Sequence, residues 1–348
     1  MNIKQCKNRL LKAMQADFKG AVMVWGAPGL GKTDIVKQIG KELSLPVIML
    51  SLNKMSPVDI MGVPYFDKET GKTVWGVPEI YPDEKRDGKS GILFVDEINT
   101  AAPSVQAAAY QLILDRKVGN YKLPDGWFII AAGNRSKDRG VTFKMPAPLI
   151  NRFAMHINVE PDIEAWSEWA YRNQIDERVI GFLRWKPDYL HKQPDELEDG
   201  KGFPTPRAWE NASKLLAIYE GEEAIDAIGD CVGEGVAAEF ASWITIYKRL
   251  PNTEDILTGK IRKLEINSED ENNASIMYAL STSIISNVIK KPTVDRINNA
   301  VNYISQAATS YSYLVVRELI KDYANMIAKA PALSDFVKKH KETLLNVI

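Results

Sequence analysis

Gly26-Ala27-Pro28-Gly29-Leu30-Gly31-Lys32-Thr33 follows directly on the apolar run Ala21-Val22-Met23-Val24-Trp25. The spacing is G-x-x-x-x-G-K-[ST], and chemistry accounts for each residue type. A triphosphate is best held by backbone N–H groups turned inward, and Gly26, Gly29 and Gly31 let the chain curl that closely around the oxygens. Lys32 then reaches the β- and γ-phosphates and the Thr33 hydroxyl ligates Mg²⁺. A helix opening near Thr33 adds its N-terminal dipole to the same anion site. The whole loop, with Ala27, Pro28 and Leu30 as its spacers, is expected to bind a nucleoside triphosphate.

Further apolar, β-branched runs lie on either side of helical patterns, at 46–50, 91–95, 127–132 and 154–158. Together with 21–25 they predict an α/β domain over 1–160 with a buried parallel sheet of five strands. The run Ile92-Leu93-Phe94-Val95 ends in Asp96-Glu97. A buried strand emerging beside the phosphates would place Asp96 to hold Mg²⁺, directly or through water, and Glu97 to polarise an attacking water. That second carboxylate argues for hydrolysis; in isolation the pair would read as a solvated acidic turn. Ile129-Ile130-Ala131-Ala132-Gly133 ends in Asn134. If this strand lies between the loop strand and the Asp96 strand, Asn134 contacts the γ-phosphate or the water; otherwise it is a turn residue.

Between these strands, Val63-Pro64-Tyr65-Phe66 and Lys72-Thr73-Val74-Trp75 flank the turn-rich stretch 67–71, which predicts a β-hairpin inserted at about 62–76. A smaller excursion at 118–126 ends in Pro124-Asp125-Gly126. After Pro161 the periodicity is helical to the end, and two segments are expected: a helical lid over 161–250 and a helical extension over 251–348. The polar stretch from Lys186 to Gly202, with Asp195, Glu196, Glu198 and Asp199, reads as an exposed loop.

Composition narrows the function classes. With 45% hydrophobic and 26% charged residues, the chain is globular rather than disordered or fibrous. Forty-four basic against 45 acidic residues leave no bulk charge excess to advertise a nucleic-acid or membrane partner. Cys6 and Cys231, distant and without metal-ligand spacing, fit a reducing compartment. No apolar run approaches the roughly 18 residues of a membrane span, and the N-terminal stretch lacks the apolar core of a signal peptide. A cytoplasmic protein is expected. His156, His191 and His340 form no local site in the sequence. Asn53-Lys54-Met55-Ser56 lacks the aspartate of a guanine-binding signature, which favours ATP.

The loop, Val95-Asp96-Glu97-Ile98-Asn99, Ala132-Gly133-Asn134-Arg135, Leu149-Ile150-Asn151-Arg152-Phe153 and Gly202-Phe203-Pro204-Thr205-Pro206-Arg207 fall in an order that resembles the AAA+ ATPases. More narrowly they resemble the MoxR-type members with an insert in the second helix. Asp59-Ile60-Met61-Gly62 also resembles the stretch those proteins carry before the insert. The resemblance spans about residues 20 to 210.

It implies an AAA+ P-loop NTPase fold with an all-α lid, ATP and Mg²⁺ as ligands, and a homo-oligomeric ring, six subunits being the family expectation. It also implies that Asn134 is the sensor 1 residue, Arg152 an arginine finger reaching a neighbour's site, and Arg207 the sensor 2 residue on the lid. From the residues alone, Arg152 could equally satisfy carbonyls at a helix C-terminus and Arg207 could be a surface cation. Arg135 and Arg139 are secondary interface candidates. Thr100 stands where MoxR-type proteins often have an arginine.

The family implies work on a protein partner, in some cases one carrying a von Willebrand factor A domain. Tyr65, Phe66 and Trp75 on the hairpin would then form the contact surface, or else pack the hairpin onto the sheet. A nucleic-acid motor or loader is the main alternative function, and a nucleotide-locked structural ring a third. The last hundred residues match no motif.

Overall fold

The structure is a computed structural model that describes residues 1–135, 138, 143–194, 201–265 and 273–340. It divides into two compact units, Met1–Asp162 and Ile163–Ile348.

The first unit contains β1 (Val22–Trp25), β2 (Val47–Ser51), β3 (Pro64–Asp67), β4 (Lys72–Trp75), β5 (Ser90–Asp96), β6 (Lys117–Val118), β7 (Tyr121–Lys122), β8 (Gly126–Gly133) and β9 (Met155–Asn158). Its helices are α1 (Ile3–Gln15), α2 (Lys32–Leu43), α3 (Pro57–Met61), α4 (Pro103–Asp115) and α5 (Ala147–Ile150). The central sheet has the order β2-β5-β8-β1-β9, and every pairing in it is parallel. Successive side chains alternate between its faces, as the pleat requires. Val22, Val24, Ile92, Phe94, Phe128, Ile130 and Ala132 bury on one face with Leu10 of α1 and Ile35 and Ile39 of α2. Met23, Leu93, Val95, Trp127, Ile129 and Ala131 bury on the other with Val105 and Leu112 of α4. Both faces are covered, which is why the strands read as unbroken apolar runs.

The inserted hairpin is β3 and β4, antiparallel, with Pro64 opposite Trp75 and Asp67 opposite Lys72. Asp67 closes the turn by accepting from Glu69 N at 2.9 Å and Thr70 Oγ1 at 2.7 Å, and Gly71 supplies the left-handed residue at φ 66°. At the base of the hairpin, Gly62 has φ 84°, and a Cβ there would lie 1.9 Å from Gly76 O, so only glycine fits. Tyr65 and Phe66 are 55% and 64% exposed, so they do not pack the hairpin down. Trp75 is half-buried, and its carbonyl accepts from Asn120 Nδ2 at 3.3 Å. The excursion at 118–126 holds the second, smaller hairpin, β6 with β7.

The second unit is helical: α6 (Ile163–Arg172), α7 (Glu177–Trp185), α8 (Pro206–Leu215), α9 (Gly221–Val232), α10 (Glu234–Tyr247), α11 (Thr253–Leu257), α12 (Asn273–Lys290), α13 (Val294–Ile304), α14 (Thr309–Tyr323) and α15 (Pro331–Lys339). One apolar cluster runs from Trp166 through Phe182, Trp243, Leu280 and Val316 to Leu333, and α12 packs along both α7 and α14. The stretch from Lys186 is only partly a loop, because Tyr189 stacks on Phe182, Leu190 is buried and Trp209 Nε1 donates to Tyr189 O at 2.6 Å. Its acidic residues 195–199 lie outside the described residues.

Within this unit the Arg184 and Glu318 side chains are 2% and 3% exposed, and Arg184 Nη2 meets Glu318 Oε1 at 3.2 Å. Glu164, Arg317 and Lys321 join the network, and Lys321 extends it to Glu168. Removing one member of a buried pair leaves the other charge desolvated, so Glu318→Ala is expected to cost about 3–5 kcal/mol in denaturant titration. Replacing Arg184 and Glu318 together by Met and Leu should cost far less. A Glu318→Ala protein as stable as wild type would show that the pair does not hold the helices.

Candidate nucleotide site

The loop after β1 folds as its glycines dictate. Gly29 and Gly31 have φ of 77° and 84°, and a Cβ on Gly26 would press to 3.2 Å from Val159 O. Gly31 is the N-cap of α2 and brings no side chain to cap the helix, so the first-turn N–H groups are not capped by its own side chain. Ala27 and Leu30 are buried and Pro28 is half-buried, anchoring the loop from beneath.

Lys32 is 8% exposed, and its Nζ donates to Gly26 O at 2.6 Å, Ala27 O at 3.0 Å and Asn134 Oδ1 at 3.1 Å. Thr33 Oγ1 donates to Asp96 Oδ2 at 2.9 Å, and Asp96 Oδ1 accepts from Glu97 N at 2.9 Å. The sheet order explains the convergence: β8 lies between β1 and β5, so Asn134, the loop and Asp96 leave the carboxyl ends of three adjacent strands. This is the edge at which parallel sheets bind ligands.

Hard oxygens from Thr33 and Asp96, 2.9 Å apart, suit Mg²⁺, which keeps its waters and takes few protein ligands. Among the described residues no cluster of three or more His, Cys, Asp or Glu side chains forms a protein-only metal cage.

Glu97 is a non-glycine residue at φ 56°. Its carbonyl accepts from Thr100 N at 3.1 Å and Thr100 Oγ1 at 3.0 Å, so Thr100 fastens the turn. Among the described residues the Glu97 carboxylate makes no hydrogen bond or ion pair.

Asn99 is the residue whose position the sequence did not disclose. It is 5% exposed; its Nδ2 donates to Asn134 O at 2.6 Å and its Oδ1 accepts from Asn134 N at 3.0 Å. The signal available was an amide two residues after Glu97.

The arginines separate into two kinds. Arg135 is engaged by Asp138, at 2.9 Å from Nε, and by Glu160; it is committed to its own chain. Arg139 lies outside the described residues. Arg152, just past α5, is half-buried with its guanidinium 5.7 Å from the Tyr110 ring centre, and among the described residues it has no carboxylate partner. Arg207 is exposed in the first turn of α8, which Thr205 caps by accepting from Ala208 N at 3.0 Å. It belongs to the second unit and likewise has no ion pair among the described residues.

His156 accepts at Nδ1 from Trp25 Nε1 at 3.0 Å, which leaves Nε2–H to donate to Ile150 O at 3.0 Å, so the ring braces the end of β1 against the end of α5. Burial pushes the Cys6 thiol up to about 12, which fits a packing role.

A five-stranded parallel sheet of this order, with a phosphate loop after β1 and an acidic pair ending β5, defines a P-loop NTPase of the AAA+ fold, with a helical C-terminal part. Residues 21–155 match the family described as ATPase family associated with various cellular activities (AAA). The chain therefore carries an AAA ATPase domain, and its activity is ATP hydrolysis. Among solved structures it is similar to a putative ATPase from Cytophaga hutchinsonii, at 17% identity and a TM-score of 0.37, covering 66% of this chain and 81% of that one. It is also similar to the RuvB Holliday junction branch migration motor of Thermotoga maritima, at 17% identity and a TM-score of 0.36, covering 85% and 86%. No helix among the described residues is long and apolar enough to cross a membrane.

Proposed function

We propose that this protein is a MoxR-type AAA+ ATPase of the cytoplasm, assembled as a homo-oligomeric ring, six subunits by family expectation, that remodels or activates a protein partner. The observation that carries the reading is the convergence of Lys32, Thr33, Asp96 and Asn134 at one end of the sheet, with Glu97 beside them and Arg152 held apart.

In this reading Lys32 draws charge from the β- and γ-phosphates, and the loop amides of residues 26–33 fix the triphosphate. Mg²⁺, held by Thr33 and Asp96, would neutralise charge on the β- and γ-oxygens. Glu97 takes the proton of the attacking water, and Asn134 orients that water or the γ-phosphate. Arg152 from the neighbouring subunit meets the charge that spreads over the γ-oxygens in the transition state, and Arg207 carries the sensor 2 role that the family resemblance implies.

The exposed Tyr65 and Phe66 favour a protein partner, of which a von Willebrand factor A domain protein is the family's example. Neither the charge balance nor any recognisable module favours the nucleic-acid alternative. The Tyr65→Ser/Phe66→Ser variant is expected to keep basal ATPase activity and to lose the proteins that a Glu97→Gln, ATP-loaded form retains. Salt-sensitive retention of mixed-sequence DNA, with protein retention untouched by the two substitutions, would favour the motor or loader.

A further inference from the structure

We infer that Asn99 is a positioning residue for hydrolysis, acting through Asn134; the inference rests on the role proposed for Asn134 above. The β5–β8 ladder ends with Val95 opposite Ala131, and one more backbone bond, Ile98 N to Ala132 O at 3.1 Å, continues it. On the β1 side the ladder ends with Trp25 opposite Gly133, where Gly26 N donates to Gly133 O at 3.2 Å. Asn134 is therefore the first residue of this strand beyond both ladders. The Asn99 side chain takes over there. A carboxamide carries one acceptor and N–H donors in the geometry of a peptide group, and Asn99 uses both kinds on Asn134, at 2.6 and 3.0 Å. It extends the sheet by one residue pair, with a side chain in place of a strand.

Two neighbouring features fit this clamp. A Cβ at Gly133 would lie 2.6 Å from Asn99 Oδ1 and 2.7 Å from Met23 Cε, so the glycine makes room for the amide to reach Asn134. The Asn99 backbone carbonyl also accepts from Phe143 N at 2.7 Å, fixing the turn from its other side. What the clamp holds is the backbone whose side chain presents Oδ1 to Lys32 at 3.1 Å. Both bonds are to main chain, so Asn99 sets where that side chain starts without touching the phosphate loop. A small misplacement of a group aimed at the reacting centre is costly in rate but not in ground-state binding.

The test is a double-mutant cycle on the full chain, read as steady-state kcat for ATP together with the Kd for ATP. Asn99→Ala is expected to lower kcat about 10- to 100-fold, the scale seen when the hydrogen-bond partners behind metal ligands are removed, and to leave the Kd unchanged. In an Asn134→Ala background the same substitution should change kcat by less than about two-fold, because nothing remains to be positioned. Asn99→Asp should behave as Asn99→Ala does: it still accepts from Asn134 N, but it sets a carboxylate oxygen against the Asn134 carbonyl. If Asn99→Ala does not fold, Gly133→Ala, which displaces the clamp by crowding its oxygen, carries the same cycle. Equal losses in both backgrounds, or a wild-type kcat for Asn99→Ala, overturn the inference alone. A wild-type kcat for Asn134→Ala overturns the reading of Asn134 and the inference with it.

Discussion

Glu97→Gln is expected to bind ATP as the wild type does and to hydrolyse it about 10²- to 10⁴-fold more slowly, the share of rate a positioned general base usually supplies. That corresponds to roughly 3–5 kcal/mol of barrier. Both Asp96 oxygens are engaged, one by Thr33 Oγ1 and one by Glu97 N. Lys32 and Asn134 are engaged with each other. The Glu97 carboxylate has no such engagement among the described residues, and its backbone is fixed by two bonds from Thr100. Glutamine keeps its shape and removes its capacity to take a proton. Single-turnover hydrolysis beside nucleotide retention separates the two effects. If the variant hydrolyses ATP at the wild-type rate, the water is activated elsewhere.

Arg152→Ala is expected to lose about 10³- to 10⁵-fold in hydrolysis, the range measured for arginine fingers supplied in trans. This is about 4–7 kcal/mol. Arg152 rests on the Tyr110 ring and has no carboxylate partner among the described residues, so moving its charge to a phosphoryl group breaks no ion pair formed there. Arg135, held by Asp138 and Glu160, would have to abandon two. The decisive form of the measurement mixes two inactive proteins. Lys32→Ala subunits keep the finger and lose the loop lysine; Arg152→Ala subunits do the reverse. Activity should reappear on mixing, and wild-type activity per subunit should rise with protein concentration. Full activity of Arg152→Ala alone, flat with concentration, would remove the shared site.

The strands of the first unit were legible because buried parallel strands are apolar on both faces, so each appears as an unbroken run between turn residues. The loop, Asp96 and Glu97 were legible because their chemistry is local to a few residues. The hairpin announced itself through Asp67 and Gly71. What stayed hidden was set by distant contacts. Nothing in the periodicity of 161–250 or 251–348 says which helical faces meet, so a core joining α7 to α12 could not be foreseen. Tyr189 and Leu190 sat in a polar stretch, and their packing depends on Phe182 and Trp209. The Asn99 clamp needs β5 and β8 to be neighbours, and the sequence offered that order only as a condition. The same condition governed Asn134.

The bond from Lys32 to Asn134 spans 102 residues, and that from Thr33 to Asp96 spans 63. Contacts of such separation form only after long loops have closed, and sheets built from them fold slowly compared with helical packing. The phosphate loop is a local turn, yet its lysine meets Asn134 only with β8 in place between β1 and β5. A chain halted before residue 134 thus has the loop without the strand that completes the site around it. Assembly of the catalytic groups is tied to closing the sheet.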